Sequence, residues 1–181
     1  MRSLAEDMQV AVDYHGHVCS GIVLGVRMAR LAMDRLKIDN PLEYRDLIVY
    51  VEVDRCVSDA VYAVTGCTLG RRRMKWVDYG KMATTFYDLA SKQGVRVVVT
   101  GNNFPPTGED PIAFWSDVPD EEVFTVENVT VDIPLEDLPG KPSSKLACEN
   151  CGEKIMDGRE KMVNDRVLCR ACAGDAYYKR V

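Results

Sequence analysis

The spacing of apolar residues predicts two helices at the start of the chain. Ser3 and Glu6 have the spacing of a capping box, so we expect a first helix to begin at Ser3 and to end near Gly16. Across residues 21–37 apolar side chains cover more than one helical face, which predicts a central and largely buried second helix. Ser20 is the expected cap of this second helix.

The pattern then changes to one typical of strands. Segment 47–53 is rich in β-branched residues and predicts a strand, after which Ser58 is expected to cap a short helix, 59–64, that ends at Gly66. Further strands are predicted at 74–77, 81–88, 95–100 and 123–133, with a hairpin connection at 91–94. Strands in succession after leading helices indicate an α+β domain, with helices packed on a mainly antiparallel sheet.

Composition narrows the class of protein without changing this outline. The chain has 181 residues, of which 46% are hydrophobic and 28% charged, as in ordinary globular domains. Its apolar runs are shorter than a membrane-spanning helix requires, and acidic residues occupy the region where a signal peptide needs an apolar segment. A soluble cytoplasmic protein is therefore expected, and the net charge of −5 argues against bulk attraction to nucleic acid or to a membrane.

Proline and charge mark a change of organisation in the second half. Seven of the eight prolines fall between residues 101 and 142, where acidic residues are also concentrated, so we predict a long loop at 101–122 and a linker at 134–145. Phe104, Phe114 and Trp115 make this loop either a lid or a surface loop anchored by aromatic side chains. The predicted domains are an α+β core of residues 1–140 and a zinc-binding module of residues 141–181.

Four of the seven cysteines form the strongest motif in the chain. Cys148 and Cys151 are one C-x₂-C pair, and Cys169 and Cys172 are a second pair after a gap of 17 residues. This spacing predicts a structural zinc ion held tetrahedrally in a zinc-ribbon or treble-clef module, with a terminal helix after the second pair. An iron–sulfur cluster and four unmetallated buried thiols are the alternatives. Because cysteine fills all four positions, the site leaves no open position for catalysis.

Both histidines of the chain lie beside a cysteine, just before the predicted buried helix. An extended backbone places His15, His17 and Cys19 on one side, where they can converge on a metal ion. Cys19 also precedes a helix N-terminus, which favours its thiolate form. The alternative is that the histidines cap the preceding helix and that Cys19 is a small buried residue.

Two more cysteines lie at the two ends of the short predicted helix. Cys56 precedes this helix and Cys67 follows it. Either cysteine can approach the histidines if strand 47–53 packs beside the buried helix. Taken alone, each is more often a core residue than a metal ligand.

Three stretches of sequence carry a resemblance to a known family. The sequences HGHVCSGIVLGVRMA, EVDRCVSDAVYAVTGCTLG and DYGK, followed by the four-cysteine tail, resemble the E-subunit family of formylmethanofuran dehydrogenase. The resemblance implies an α+β core, a C-terminal zinc module, a homodimer, and association with a molybdenum- or tungsten-dependent enzyme that reduces carbon dioxide onto methanofuran.

The resemblance also implies a second metal or thiolate site in the core. His17, Cys19, Cys56 and Cys67 fall on the motif of the family, with Asp54 and Asp59 as polar neighbours. The chain departs from the motif at Ser20, where proline is common, and at Tyr62, where glutamine is common. The full candidate set for the second site is therefore His15, His17, Cys19, Cys56 and Cys67.

Three functions are compatible with these features. The first is a metal-binding accessory protein of one-carbon redox metabolism, with subunits of a molybdenum or tungsten enzyme as partners. The second is a stand-alone metal- or thiolate-dependent enzyme in which His17 and Cys19 are catalytic. The third is a nucleic-acid-binding zinc protein that uses the basic segment 71–75, although a basic turn before an edge strand is the commoner explanation of such a segment. The chain has neither a G-x-G-x-x-G motif nor a P-loop, so nicotinamide and nucleoside-triphosphate chemistry have no motif here.

Overall fold

A computed structural model describes residues 1–100, 105–116, 118–179 and 181. The chain divides into two compact units, Met1–Val131 and Asp132–Val181. Composition placed the domain boundary at about residue 140, whereas the division lies after Val131. Among the described residues, no helix is long and apolar enough to cross a membrane.

The first unit begins with two helices whose ends follow from local sequence. Helix α1, Leu4–His15, starts with the predicted capping box between Ser3 and Glu6, and it ends at Gly16, whose φ of 91° is left-handed. Helix α2, Ser20–Leu36, is largely buried as predicted. The prediction that Ser20 caps α2 is wrong, because Cys19 is the N-cap residue and Ser20 is the first residue of the helix.

A five-stranded sheet forms the other layer of the first unit. Its strands are β1 (Leu47–Val51), β2 (Met74–Trp76), β3 (Ala83–Asp88), β4 (Gln93–Val99) and β5 (Phe124–Val129), in the order β2-β1-β3-β4-β5. Only the pair β1 and β2 is parallel, and the other three pairs are antiparallel. The prediction of an α+β domain with a mainly antiparallel sheet is confirmed.

Helix α3, Cys56–Thr65, connects β1 to β2 and packs closely on α2. It begins three residues before the predicted start, with Arg55 as N-cap, so the prediction that Ser58 caps it is wrong, whereas Gly66 ends it as predicted. The close packing depends on Gly25, because an added Cβ there would lie 2.6 Å from the Cβ of Ala60 and 3.1 Å from the Cα of Val57. Only glycine therefore allows the two helices to approach this closely.

The described part of the region predicted as a long loop includes two short helices. They are α4, Pro111–Ser116, and α5, Asp120–Val123. Trp115 is only 1% exposed and belongs to the core, and Phe114 packs against the same core. These two side chains anchor the segment, whereas Phe104 lies outside the described residues.

The second unit consists of short elements around the cysteine pairs. Its two hairpins pair β6 (Lys145–Ala147) with β7 (Lys154–Met156), and β8 (Lys161–Val163) with β9 (Arg166–Leu168). A 3-10 turn, Leu135–Asp137, precedes the hairpins. The terminal helix predicted after Cys172 is instead one helical turn, Ala171–Asp175, interrupted by Gly174.

Candidate functional site

The ends of three helices meet at the sequence motif that contains both histidines. His15 is the last residue of α1, Cys19 is the N-cap of α2, and Cys56 is the first residue of α3. The left-handed Gly16 ends α1 and turns the chain directly into α2, which keeps His15, His17 and Cys19 close together. We call these three residues the histidine–cysteine cluster.

Asp59 fixes the orientation of the His15 ring. The Nδ1 atom of His15 lies 2.8 Å from Oδ2 of Asp59, and its Nε2 atom lies 3.9 Å from Sγ of Cys19. Because a carboxylate can only accept, Nδ1 carries the proton and donates to Asp59, which leaves the lone pair of Nε2 facing the thiol. A carboxylate behind an imidazole in this way is typical of metal-ligating histidines and of histidines paired with a nucleophile.

His17 completes a group of three donors. The rings of His15 and His17 are 4.5 Å apart between centroids, and the His17 side chain is exposed. One donor atom from each of His15, His17 and Cys19 lies within 4.8 Å of the other two. Two imidazoles and a thiolate suit zinc, copper, iron or nickel.

Cys56 lies against this cluster and contacts Cys19. Burial and the neighbouring Cys19 thiol raise the pKa of Cys56. Gly21 makes room for it, because an added Cβ there would lie 2.9 Å from the Cβ of Cys56. The structure therefore brings Cys56 to the predicted group.

Cys67 lies elsewhere. It follows the opposite end of α3, which is about 15 Å long for its ten residues. Its thiol is fully buried in the core and donates to the carbonyl oxygen of Leu47 at 3.6 Å. Burial raises the pKa of this thiol. The structure thus separates Cys67 from the other four residues of the predicted set.

The roles of Gly21 and Gly25 were missed from the sequence, and Asp59 was expected only as a polar neighbour. A signal for the glycines was present, since their spacing of four places them on one face of the predicted α2. The role of Asp59 has no comparable signal, because it depends on how α3 is placed against the end of α1.

The four cysteines of the second unit are gathered around one point. The sulfur atoms of Cys148, Cys151, Cys169 and Cys172 all lie within 4.8 Å of one another, and those of Cys151 and Cys169 are 3.9 Å apart. A tetrahedral zinc ion with Zn–S bonds of about 2.3 Å requires sulfur separations of about 3.8 Å. The donor set therefore fits zinc both in chemistry and in spacing.

Polar hydrogens surround these sulfurs. The backbone N–H groups of Cys169 and Cys172 donate to the sulfurs of Cys148 and Cys169, and the side-chain amide of Asn150 donates to that of Cys172. The N–H groups of Cys169 and Cys151 lower the pKa of Cys148 to about 6. Although the Glu153 N–H acts in the opposite direction, burial and the neighbouring thiols raise the pKa of Cys151 to about 12. A divalent cation relieves this crowding of thiolates.

The basic segment after α3 is partly used inside the fold. Arg73 is only 3% exposed, and its guanidinium donates to the carbonyl oxygens of Tyr44 and Gly66. It therefore holds the turn before β2, and only the flanking cations of the segment remain on the surface. The net charge argues against nucleic acid as a partner, and this stays a prediction.

A separate cavity of about 570 Å³ lies between α1, α2 and α4. Apolar side chains such as Met8, Val23 and Trp115 form much of its wall. The guanidinium of Arg27 is engaged there by Asp120 and by the carbonyl oxygens of Trp115 and Val118. None of the residues described around the cavity belongs to the histidine–cysteine cluster.

The fold and the two clusters together define a class: an α+β protein with a histidine–cysteine cluster at converging helix ends and a four-cysteine tail. Residues 14–124 match the family described as FmdE, molybdenum formylmethanofuran dehydrogenase operon, and residues 142–178 match the prokaryotic dksA/traR C4-type zinc finger. The chain belongs to the FmdE family. The predicted family and the predicted zinc-type module are confirmed.

Two known proteins are similar to this chain. A solved structure from Syntrophus aciditrophicus, of a protein like the tungsten formylmethanofuran dehydrogenase component FmdE, shares the fold with a TM-score of 0.66 and 22% identity, over 98% of this chain and 96% of that one. A probable S-adenosyl-L-methionine-binding protein from Archaeoglobus fulgidus is 33% identical over an alignment 199 residues long. The alignment covers 92% of this chain and 52% of the relative. The chain therefore spans about half the length of that curated relative.

Proposed function

We propose that this protein is a metal-binding accessory protein of one-carbon redox metabolism, with zinc at the four cysteines and a second metal ion at the histidine–cysteine cluster. The observation that carries the second site is the approach of three donor atoms to within 4.8 Å, with Asp59 orienting one of them. Membership of the FmdE family supports the link to one-carbon redox chemistry.

The donors suit a metal ion with an accessible position. Three protein ligands leave a fourth position for water, a substrate or another side chain, and the Cys56 thiol lies beside Cys19. A bound ion there supplies Lewis acidity or a point of attachment for a partner. The chain itself contributes a His15 ring held in place by Asp59 and a His17 ring that is exposed to solvent.

The proposal includes two kinds of partner. One is a second copy of this chain in a homodimer, and the other is a set of subunits of a molybdenum or tungsten redox enzyme. Both rest on membership of the family.

Metal content measures the two sites separately. We expect the purified full chain to bind two metal ions, and the His17→Ala variant to bind one, because His17 is exposed and its removal deletes a donor without disturbing the core. Elemental analysis after loading with Zn²⁺ or Co²⁺ gives the count, and Co²⁺ absorption reports which ligands are used. Asp13→Ala, at an exposed position in the last turn of α1, is the matched control and should retain both ions.

One result contradicts the second site directly. If the chain binds a single ion, and that ion is lost entirely when Cys148 and Cys151 are replaced by serine, the histidine–cysteine cluster holds no metal. An unchanged count in His17→Ala would lead to the same conclusion.

A thiolate-dependent enzyme is a second candidate, because one specific arrangement favours it. Cys19, His15 and Asp59 form a chain of contacts, with 3.9 Å from sulfur to imidazole and 2.8 Å from imidazole to carboxylate. A nucleophile, a base and a group that orients the base occur in this order in cysteine-dependent hydrolases and transferases. The sequence-based hypothesis named His17 as the catalytic histidine, whereas the geometry favours His15.

Alkylation of Cys19 tests the second candidate. We expect Asp59→Asn to slow iodoacetamide labelling of Cys19 at neutral pH, because an amide can donate to Nδ1 and so impose the other tautomer on His15. Mass spectrometry of tryptic peptide 3–27, which contains Cys19 as its only cysteine, measures the rate. Asp54→Asn is the control, and equal rates in the two variants would rule out activation through Asp59.

A further inference from the structure

Two cysteines far apart in sequence meet at the N-termini of two helices. Cys19 is the N-cap of α2 and Cys56 is the first residue of α3, and the sulfur atoms of both lie beside Gly21. An ideal Cβ placed on Gly21 would lie 3.4 Å from Sγ of Cys56 and 3.8 Å from Sγ of Cys19. The missing side chain of Gly21 therefore leaves the space in which the two sulfurs meet.

Neither thiol is in a disulfide, and both are partly accessible. Each of the two side chains is partly exposed, so small solutes reach them, in contrast to the fully buried Cys67. Of the three cysteines in the first unit, these two are neighbours, because both sulfurs lie beside Gly21, whereas the thiol of Cys67 donates to the carbonyl oxygen of Leu47. Sulfurs in contact can form a disulfide with only a small movement of the side chains.

We infer that Cys19 and Cys56 form a redox-active dithiol that low-molecular-weight disulfides oxidise to an intramolecular disulfide. This chemistry goes beyond the proposed metal site, since it needs no metal ion. The dithiol can donate two electrons without a metal ion.

The reaction proceeds by two exchanges. The Cys19 thiolate attacks one sulfur of the small disulfide, so a mixed disulfide forms and the first small thiolate leaves. The Cys56 thiolate then attacks the Cys19 sulfur, the protein disulfide forms, and the second small thiolate leaves. The protein dithiol loses two electrons and two protons, and the small disulfide gains them as two thiols.

The position of His15 favours Cys19 as the residue that reacts first. Its Nε2 atom faces the Cys19 sulfur at 3.9 Å, and Asp59 holds the ring in that orientation. Cys56 neighbours the same Cys19 sulfur and is therefore placed to act as the resolving thiol.

Peptide mapping after oxidation tests the dithiol. The full chain is freed of metal with a chelator, treated with oxidised glutathione, blocked with an alkylating agent and digested with trypsin. We expect peptide 3–27, which carries Cys19, to be joined to peptide 56–71 through one disulfide. Metal removal exposes the tail cysteines as well, but these lie on other peptides and are distinguished by mass.

Because peptide 56–71 contains both Cys56 and Cys67, a variant assigns the bond. The link should disappear in Cys56→Ser and persist in Cys67→Ala, with circular dichroism confirming that both variants are folded. A link that persists in Cys56→Ser, or glutathione retained on Cys19 without any link in the parent chain, would overturn the inference. Metal content of the reduced protein is measured separately, so failure of the metal site and failure of the dithiol are distinguishable.

Discussion

Replacement of Cys148 and Cys151 by serine is expected to unfold the second unit while the first unit remains folded. The reason is the small size of the apolar core in that unit. Its buried members are Cys148, Ile155 and Leu168, and its strands have three residues each. Zinc binding contributes about 10–16 kcal/mol to the folding of comparable zinc-finger peptides, so loss of the ion removes most of the stabilisation.

Amide hydrogen exchange followed by mass spectrometry measures this effect segment by segment. In the double variant, and in the parent chain treated with a strong chelator, amides of β6–β9 should exchange at the rate of an unfolded chain. Met162→Ala, at a side chain that is 65% exposed in the same unit, is the control and should keep both its protection and its zinc. Unchanged protection in the double variant would show that the unit folds without the ion.

The same site should release its metal as the pH falls. Zinc binds thiolates, so protons compete for the four sulfurs, and the raised pKa of Cys151 means that this thiol holds its proton at neutral pH in the metal-free protein. The ion must displace that proton. The affinity for zinc therefore increases with rising pH and decreases with falling pH. The same hydrogen-exchange experiment with a chelator, repeated at several pH values, measures this dependence.

The elements of the fold that depend on local sequence were predictable. The capping box at Ser3 and the glycines that end α1 and α3 are set by neighbours within four residues, and the structure contains all of them. The start of α3 was missed because neither Arg55, its N-cap, nor Cys56 is a strong capping residue. Packing against α2 extends α3 beyond the start that its local sequence predicts.

The types of residue in the candidate site were predictable from the sequence. Which of the distant cysteines belongs to the site was not. His15, His17 and Cys19 are close because they are close in sequence, whereas Cys56 and Cys67 were indistinguishable as ligands from sequence alone. The direction of α3 decides between them, since it brings Cys56 to Cys19 and carries Cys67 into the core beside Leu47. That direction is set by the contact between α2 and α3.

This contact makes Gly25 a sensitive position of the first unit, so Gly25→Val is expected to destabilise it strongly. The first added carbon already lies 2.6 Å from the Cβ of Ala60 and 3.1 Å from the Cα of Val57, and valine adds two methyl groups to it. Overpacking of this kind costs about 1–3 kcal/mol and occasionally more, which corresponds to a fall in Tm of roughly 2–4 °C per kcal/mol for a chain of this length. Asp34→Val introduces the same side chain at an exposed position of α2 and is the control for helix propensity.

A double-mutant cycle shows whether the effect comes from the contact itself. Gly25→Ala gains helix propensity but introduces the clash, and Ala60→Gly removes the methyl group that is struck, so the pair should be more stable than the sum of the single changes predicts. Separation of the two helices should also move Cys56 away from Cys19, so that Gly25→Val loses the disulfide link between peptides 3–27 and 56–71. Additive free energies of unfolding, together with an intact link in Gly25→Val, would show that α2 and α3 hold the cysteines together by some other means than their close approach at Gly25.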